Sequence, residues 1–261
     1  MQSPPLGWID PRIGGGRMID YATPRLGEPL NVIISAASDP EILSEHGFHQ
    51  YAKSLGFSGE CLGMHMGVLH LADLGDGLGR RTEQYLARQH YYFPVWGTCW
   101  ESVAGKCRSV PRRLHPNCLY PGGNHFRAWK QNGTNANTGA WFLAYFIGQH
   151  HIITSDGYNQ GRNSLVSRAF EGGGWKGVWW KADVEWRSGL IEPGTKGINH
   201  AIPQDGLVAV LTVNRVPSGP GSRISVLSQF PSLFTFLLLL AFNAALLLSI
   251  IRLLTIPVTT S

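Results

Sequence analysis

Apolar residues fall into short runs separated by glycine- and proline-rich stretches. "NVIISA", Asn31 to Ala36, has strand length and leads at once into "SDPEILSEHGFHQYAKSLGF". There Ser-Asp ahead of Pro-Glu reads as a helix start, Ile42, Leu43, Tyr51 and Leu55 form an inner face, and Gly56 ends the helix. "HFRAW" and "GAWFLAYFI" read as two strands joined by the polar turn "KQNGTNANT". Strand alternation in "HFRAW" places His125, Arg127 and Trp129 on one side, and Phe126 and Ala128 on the other. "GYNQGRNSLVSRAF" predicts a short helix with Leu165, Val166 and Ala169 inward. "GVWWKADVEW" and "GLVAVLTVNR" add two strands, the second apolar enough for a central position. "DLGDGLGRR" reads as a solvated turn, because Asp73 and Asp76 lack the spacing and the bidentate glutamate of a calcium loop.

The run from Leu233 to Ile251, "LFTFLLLLAFNAALLLSII", contains no charge, proline or glycine over nineteen residues. As a helix it spans roughly 28 Å, close to the hydrocarbon thickness of a bilayer. Its polar members, Thr235, Asn243 and Ser249, make no continuous polar face, so a transmembrane helix is expected, with the bilayer as partner. The resulting plan is an N-terminal extension over 1–19, one α+β domain with a mixed sheet and a few helices over 20–215, and a linker over 216–231. A membrane helix over 232–254 and a short tail over 255–261 complete it.

Which side of the membrane the domain occupies is read two ways. "MQSPPLGWIDPR" has neither a basic start nor an apolar run, and Arg215 and Arg223 precede the helix, as for a tail-anchored cytosolic domain. "PSGPGS" before the apolar tail has the outline of a glycolipid-anchor signal, against which Arg252 argues.

Composition sharpens this picture. A charged fraction of 15% with 32 glycines and 16 prolines disfavours a helical bundle or a charged disordered chain, and nine tryptophans call for a packed interior or a sugar or lipid surface to cover them. The formal charge of +5 comes from scattered basic residues, so no nucleic-acid partner is expected.

The four cysteines form no Cys-x-x-Cys or Cys/His metal spacing. In an oxidising compartment Cys61 and Cys99 are disulfide candidates and Asn132, in "NGT", is a glycosylation candidate. Cys107 and Cys118 lie in "KCRSVPRRLHPNCLYPG", which has no apolar periodicity and separates Gly105 from Gly123. Its start and end fit the codons of intron boundaries, so residues 106–122 read as an unspliced insertion; retained, they would form an exposed loop with a candidate Cys107–Cys118 bridge.

The chemistry candidates centre on "GQHHIITSDGYNQGRN". His150 and His151 are adjacent and, in a strand, face opposite ways. A metal site would need further ligands from His125, Asp156 or His200, and nothing in the spacing requires one, so no metal and no cofactor is expected. Asp156 before Gly157 reads as a helix cap. The sharper reading has His125 and Arg127 converging with His151, Asp156 and Arg162 in a cationic recess for an anionic small molecule or glycan. Cys99, Ser102 and Ser155 lie in no nucleophile-elbow pattern.

At "PLNVIIS", "GGNHFRAW", "HHIITSDGYNQGRNSLV" and "INHAIPQDGLVAVLTV" the chain resembles a group of fungal secreted or membrane-associated proteins with no assigned reaction. Its His-x-Arg-x-Trp run and its His-His-Ile, Asp and Arg run are similar to the LssY C-terminal-type domain of bacteria. The fungal group runs "ESVAG" directly into "GNHFRAW", which supports the insertion reading. Many of its members begin with a signal peptide before "DPR", which implies an extracytoplasmic domain. The bacterial resemblance implies lipid or envelope chemistry by analogy.

Three functions remain open. The first is a membrane-anchored module with an anion-binding pocket. The second is a hydrolase of phosphorylated or glycosylated substrates with His125 or His151 as base and Arg127, Asp156 and Arg162 binding. The third is a purely structural polar cluster. For the insertion, a transcript read across Ala104 to Asn124 is expected to lack the codons for 106–122, and their presence in the mature message would refute the reading.

Overall fold

The computed structural model describes residues 7–59, 69–89, 125–146, 148–149, 152–153 and 156–217. All belong to the first of two units, which ends at Pro217. The expected membrane helix, the 106–122 segment, Cys61, Cys99, Cys107, Cys118, His150 and His151 lie outside the described residues. Among the described residues no helix is long and apolar enough to cross a membrane.

The strands are β1 (Val32–Ile34), β2 (Phe57–Gly59), β3 (Leu71–Asp73), β4 (Arg80–Thr82), β5 (Tyr85–Gln89), β6 (His125–Asn132), β7 (Asn137–Phe146), β8 (Gly148–Gln149), β9 (Ile152–Ile153), β10 (Gly173–Trp175), β11 (Val178–Arg187) and β12 (Val208–Val216). The helices are α1 (Pro40–Leu43), α2 (Glu45–Ser54) and α3 (Gly157–Glu171). Eight strands make one sheet in the order β10-β11-β12-β1-β7-β6-β5-β2, while β3-β4 and β8-β9 form separate hairpins. β1 runs parallel to β12, with Val32 opposite Ala209, and antiparallel to β7. The sheet is therefore mixed and the domain α+β, as expected.

Period-two alternation divides the core between the two faces of this sheet. On one face Val32, Ile34, Phe126, Ala128, Trp141, Tyr145 and Leu211 meet Phe48 and Tyr51 of α2, Leu55 just after it, and Leu165, Val166 and Ala169 of α3. Phe48 stacks on Trp141 with ring centroids 4.3 Å apart. Each such buried side chain contributes roughly 1.5–3 kcal/mol relative to exposure. On the other face Ile33, Trp129, Phe142 and Val210 are covered by Trp8, Met18, Leu30, Leu74 and Ile191. The predicted split of β6 thus holds, and it sends Arg127 to the face away from the helices.

Three local expectations are revised. The packed unit starts before residue 20: Trp8 meets Phe142 edge-on at 6.4 Å, and the buried Gln131 side chain bonds both the N–H and the C=O of Ile9, at 3.0 and 2.8 Å. The "DLGDGLGRR" turn is not solvated at its centre. Asp76 is fully buried, with Oδ2 accepting from Arg81 at 2.7 Å and from the N–H groups of Asn132 and Gly133 at 3.2 and 3.1 Å. It thereby anchors the turn between β6 and β7.

The single helix expected after β1 is broken at Ser44, which is extended at φ −79°, ψ 154°. Ser44 Oγ donates to Glu41 O at 2.7 Å and accepts from Gly47 N at 3.0 Å, ending α1 and capping α2 together. Gly47 is required by this break, since a Cβ there would lie 1.9 Å from Glu41 O. Gly47→Ala, which gains about 0.5–1 kcal/mol in an unobstructed helix, is instead expected to destabilise the domain by more than about 1 kcal/mol. Urea unfolding checks this, and an unchanged or raised midpoint would contradict the packing described.

Candidate functional site

The site grows from a loop whose two ends are tied by one pair of residues. Asp20 N–H donates to Glu28 O at 2.9 Å, and Glu28 N–H donates to Asp20 Oδ1 at 2.7 Å. The neck is extended by the bridge between Ile19 and Pro29. Only glycine fits at position 27, where a Cβ would stand 1.8 Å from Asp20 O, and this tightness brings the two carboxyl groups side by side. Arg17 braces the loop from outside. It donates from Nε to Ile19 O at 2.7 Å and from Nη2 to Asp20 O, and stacks 3.4 Å over the Tyr21 ring.

Backbone bonds between Tyr21 and Leu71 hold the segment before β3 alongside this neck. His70 Nδ1 therefore lies 2.8 Å from Asp20 Oδ2 and 4.0 Å from Glu28 Oε2. The His70 backbone N–H donates to Glu83 Oε2 at 3.0 Å, a second tie on the residue. Among the described residues no hydrogen bond engages His70 Nε2.

β6 supplies the cation. Arg127 Nη1 sits 3.2 Å from Glu28 Oε2 and 3.1 Å from His125 Nε2, and its Nε is 3.5 Å from Glu83 Oε1. At the end of β7, Phe146 packs against Tyr158 of α3 with centroids 5.2 Å apart, alongside Ile198 and Ile202. Tyr158 is wholly buried, and its hydroxyl finds no hydrogen-bond partner among the described residues. His200 approaches the same phenylalanine at 6.5 Å from a left-handed backbone at φ 60°.

Asp20, Glu28, His70 and Arg127 are all buried, at 0, 4, 7 and 5% exposure. Burial raises the Glu28 carboxyl to about 7, and Asp20 pushes it the same way against the pull of Arg127 and His70. The Tyr158 phenol is driven upward by burial first and then by Glu28 and Asp20, so it remains a neutral donor. His200 is lowered by burial and by His70. Among the described residues, three carboxylates thus share this recess with one buried guanidinium, Arg127, while Arg17 lies at its margin.

The residues singled out from sequence separate into two places. His125 and Arg127 do meet, at the site just described. Arg162, one turn into α3 from Tyr158, is bound to Asp205 through both terminal nitrogens, at 2.6 and 2.7 Å, and also donates to Leu207 O and Asn163 Oδ1. Both arginines expected to hold an anion are therefore engaged by carboxylates. Asp156 precedes α3 but makes no side-chain cap; its Oδ1 accepts from the Asn159 side chain. Asn132 ends β6, with Oδ1 accepting from Arg81 at 3.0 Å. His151 lies outside the described residues.

Asp20, Glu28, His70, Glu83 and Tyr158 were missed from sequence because no spacing motif joins them. The available signal is that "MIDYA", "LGEPLN" and "LHLAD" place ionisable residues among apolar ones in a chain with few charges. Comparison with known protein families, with curated proteins and with solved structures finds no match.

The Glu28 carboxyl gives a signed pH dependence. Its folded value of about 7 stands above its ordinary 4.5, so the stability it lends is complete below pH 4.5 and is lost as pH rises through 7. Relative to Glu28→Gln, the wild type is expected to gain on the order of 2–3 kcal/mol between pH 8 and pH 5. Paired thermal melts at the two pH values measure it, and a difference that does not change with pH would be inconsistent with a buried, titrating Glu28.

Proposed function

We propose that the domain is a cation-binding module, its recess formed at the Asp20–Glu28 neck with His70. The observation that carries this reading is the charge balance. Among the described residues, Asp20, Glu28 and Glu83 stand within the recess against Arg127, the one arginine or lysine buried with them. A buried excess of carboxylate is costly unless it holds a proton or meets a positive ligand. The anion-binding alternative loses support from the same geometry, since Arg127 and Arg162 already have carboxylate partners.

The nineteen-residue apolar run from Leu233 to Ile251 supports a membrane anchor for this module, with the bilayer as partner. A second reading, a hydrolase with a histidine base, is favoured by one contact. Asp20 orients His70 through Nδ1 and leaves Nε2 available to accept a proton. On that reading the base is His70, in place of His125 or His151.

A thermal-shift panel tests the leading reading. Divalent metal ions, guanidinium and methylammonium, each at low millimolar concentration, are expected to include at least one cation that raises Tm by roughly 2 °C or more. Glu28→Gln should abolish that gain. Stabilisation by phosphate or a sugar acid instead, lost in Arg127→Met or Arg162→Met, would restore the anion pocket and overturn this assignment. No response to any ligand, with Glu28→Gln and His70→Gln altering stability alone, would leave a structural polar cluster.

A further inference from the structure

The ligand of this recess can be narrowed by the identity and spacing of its atoms, an inference that rests on the cation-binding reading. We propose that Asp20 Oδ2, Glu28 Oε2 and His70 Nδ1 bind one divalent metal ion of the zinc or manganese type, with Tyr158 facing its remaining coordination positions. Each residue offers one ligand atom within 4.8 Å of those of the other two, and all three residues are buried. Ligands held about 2.0–2.2 Å from a tetrahedral zinc-like ion are separated by about 3.3–3.6 Å. The observed 2.8 Å between His70 and Asp20 and 4.0 Å between His70 and Glu28 bracket that spacing. A shift of a few tenths of an ångström at each group would bring both His70 distances to that spacing.

The donor set selects the class of ion. Two carboxylates and one imidazole, with no thiolate, suit borderline divalent metals better than copper(I) or an iron–sulfur cluster. Three protein ligands leave at least one position for water, the arrangement of a catalytic metal site and not of a closed structural one.

The surroundings hold both carboxylates by outer hydrogen bonds of the kind a metal site uses, and fix His70 through its backbone. Asp20 Oδ1 is held by the Glu28 N–H, which turns Oδ2 toward His70. Arg127 steadies Glu28, and Glu83 takes the His70 N–H. On binding, the ion would displace to solvent the proton that His70 and Asp20 share.

Tyr158 is the independent observation. Its hydroxyl is fully buried and has no hydrogen-bond partner among the described residues, yet it lies within electrostatic reach of Glu28 and Asp20. A buried, unpaired hydroxyl costs about 1–3 kcal/mol. A water or hydroxide on the ion would satisfy it, and the neutral phenol would donate to that oxygen.

The test uses the full-length chain, stripped with chelator, dialysed against Mn2+ or Zn2+ and assayed for retained metal. One ion per chain with micromolar or tighter affinity is expected, with at least a tenfold loss in Glu28→Gln and in His70→Gln. Tyr158→Phe should keep the ion with a loss of only a few-fold. With Mn2+ bound, pulsed electron paramagnetic resonance should show coupling to one imidazole nitrogen that disappears in His70→Gln.

Sub-stoichiometric retention by folded wild type, or retention that both glutamine variants leave unchanged, would overturn the site. Should either variant fail to fold, the wild type decides alone, because stoichiometric Mn2+ without imidazole coupling contradicts the proposal. If guanidinium or methylammonium stabilises the chain in a Glu28-dependent way while no metal is retained, the metal inference falls and the cation reading stands. If neither class of cation acts, both fall.

Discussion

The reciprocal bonding of Asp20 and Glu28 is the constraint on which the site depends. One backbone pair and one carboxylate–amide bond close an eight-residue excursion, and the glycine at position 27 allows the chains to approach closely enough. Two carboxyl groups that would repel one another in free solution are thereby fixed at one neck. Three neighbouring features answer the resulting charge: His70 against Asp20, Arg127 against Glu28, and Glu28 held partly protonated near neutral pH, while Glu83 adds to it.

The sheet makes this answer possible. Because side chains alternate along β6, the strand that buries Phe126 and Ala128 beneath the helices must present Arg127 on the opposite face. There the N-terminal segment, the β3–β4 hairpin and the loop after β11, not α-helices, cover the sheet. Irregular segments of this kind can bring polar groups from distant parts of the chain into one buried volume. An arginine already shared between Glu28 and Glu83 serves as an internal counter-ion and is poorly placed to recruit an anion.

The parts legible in sequence were those governed by short periods. The two faces of β6, the inward Leu165, Val166 and Ala169 of α3, and the central place of β12 follow from alternation over a few residues. Ser44 was harder to read, because the start signal at Ser38 to Glu41 masked a second cap only a few residues on. Asp76 carried the composition of a solvated turn. Its burial is decided by Asn132 and Gly133, more than fifty residues away, and no local pattern reveals such a contact. Likewise Arg162 is claimed by Asp205 across 43 residues, and His70 reaches Asp20 across 50. Polar chemistry in this domain is assembled by long-range pairing, which a periodicity reading does not detect.

Function at this recess depends on one positive ligand sitting among Asp20, Glu28 and His70. Anomalous diffraction from crystals of the chain grown with Mn2+ or Zn2+ addresses it most directly. The expected result is a single strong peak within bonding distance of Asp20 Oδ2, Glu28 Oε2 and His70 Nδ1, with a water between it and Tyr158. A peak held only by surface histidines, with the His70–Asp20 contact intact and nothing between them and Glu28, would contradict the assignment.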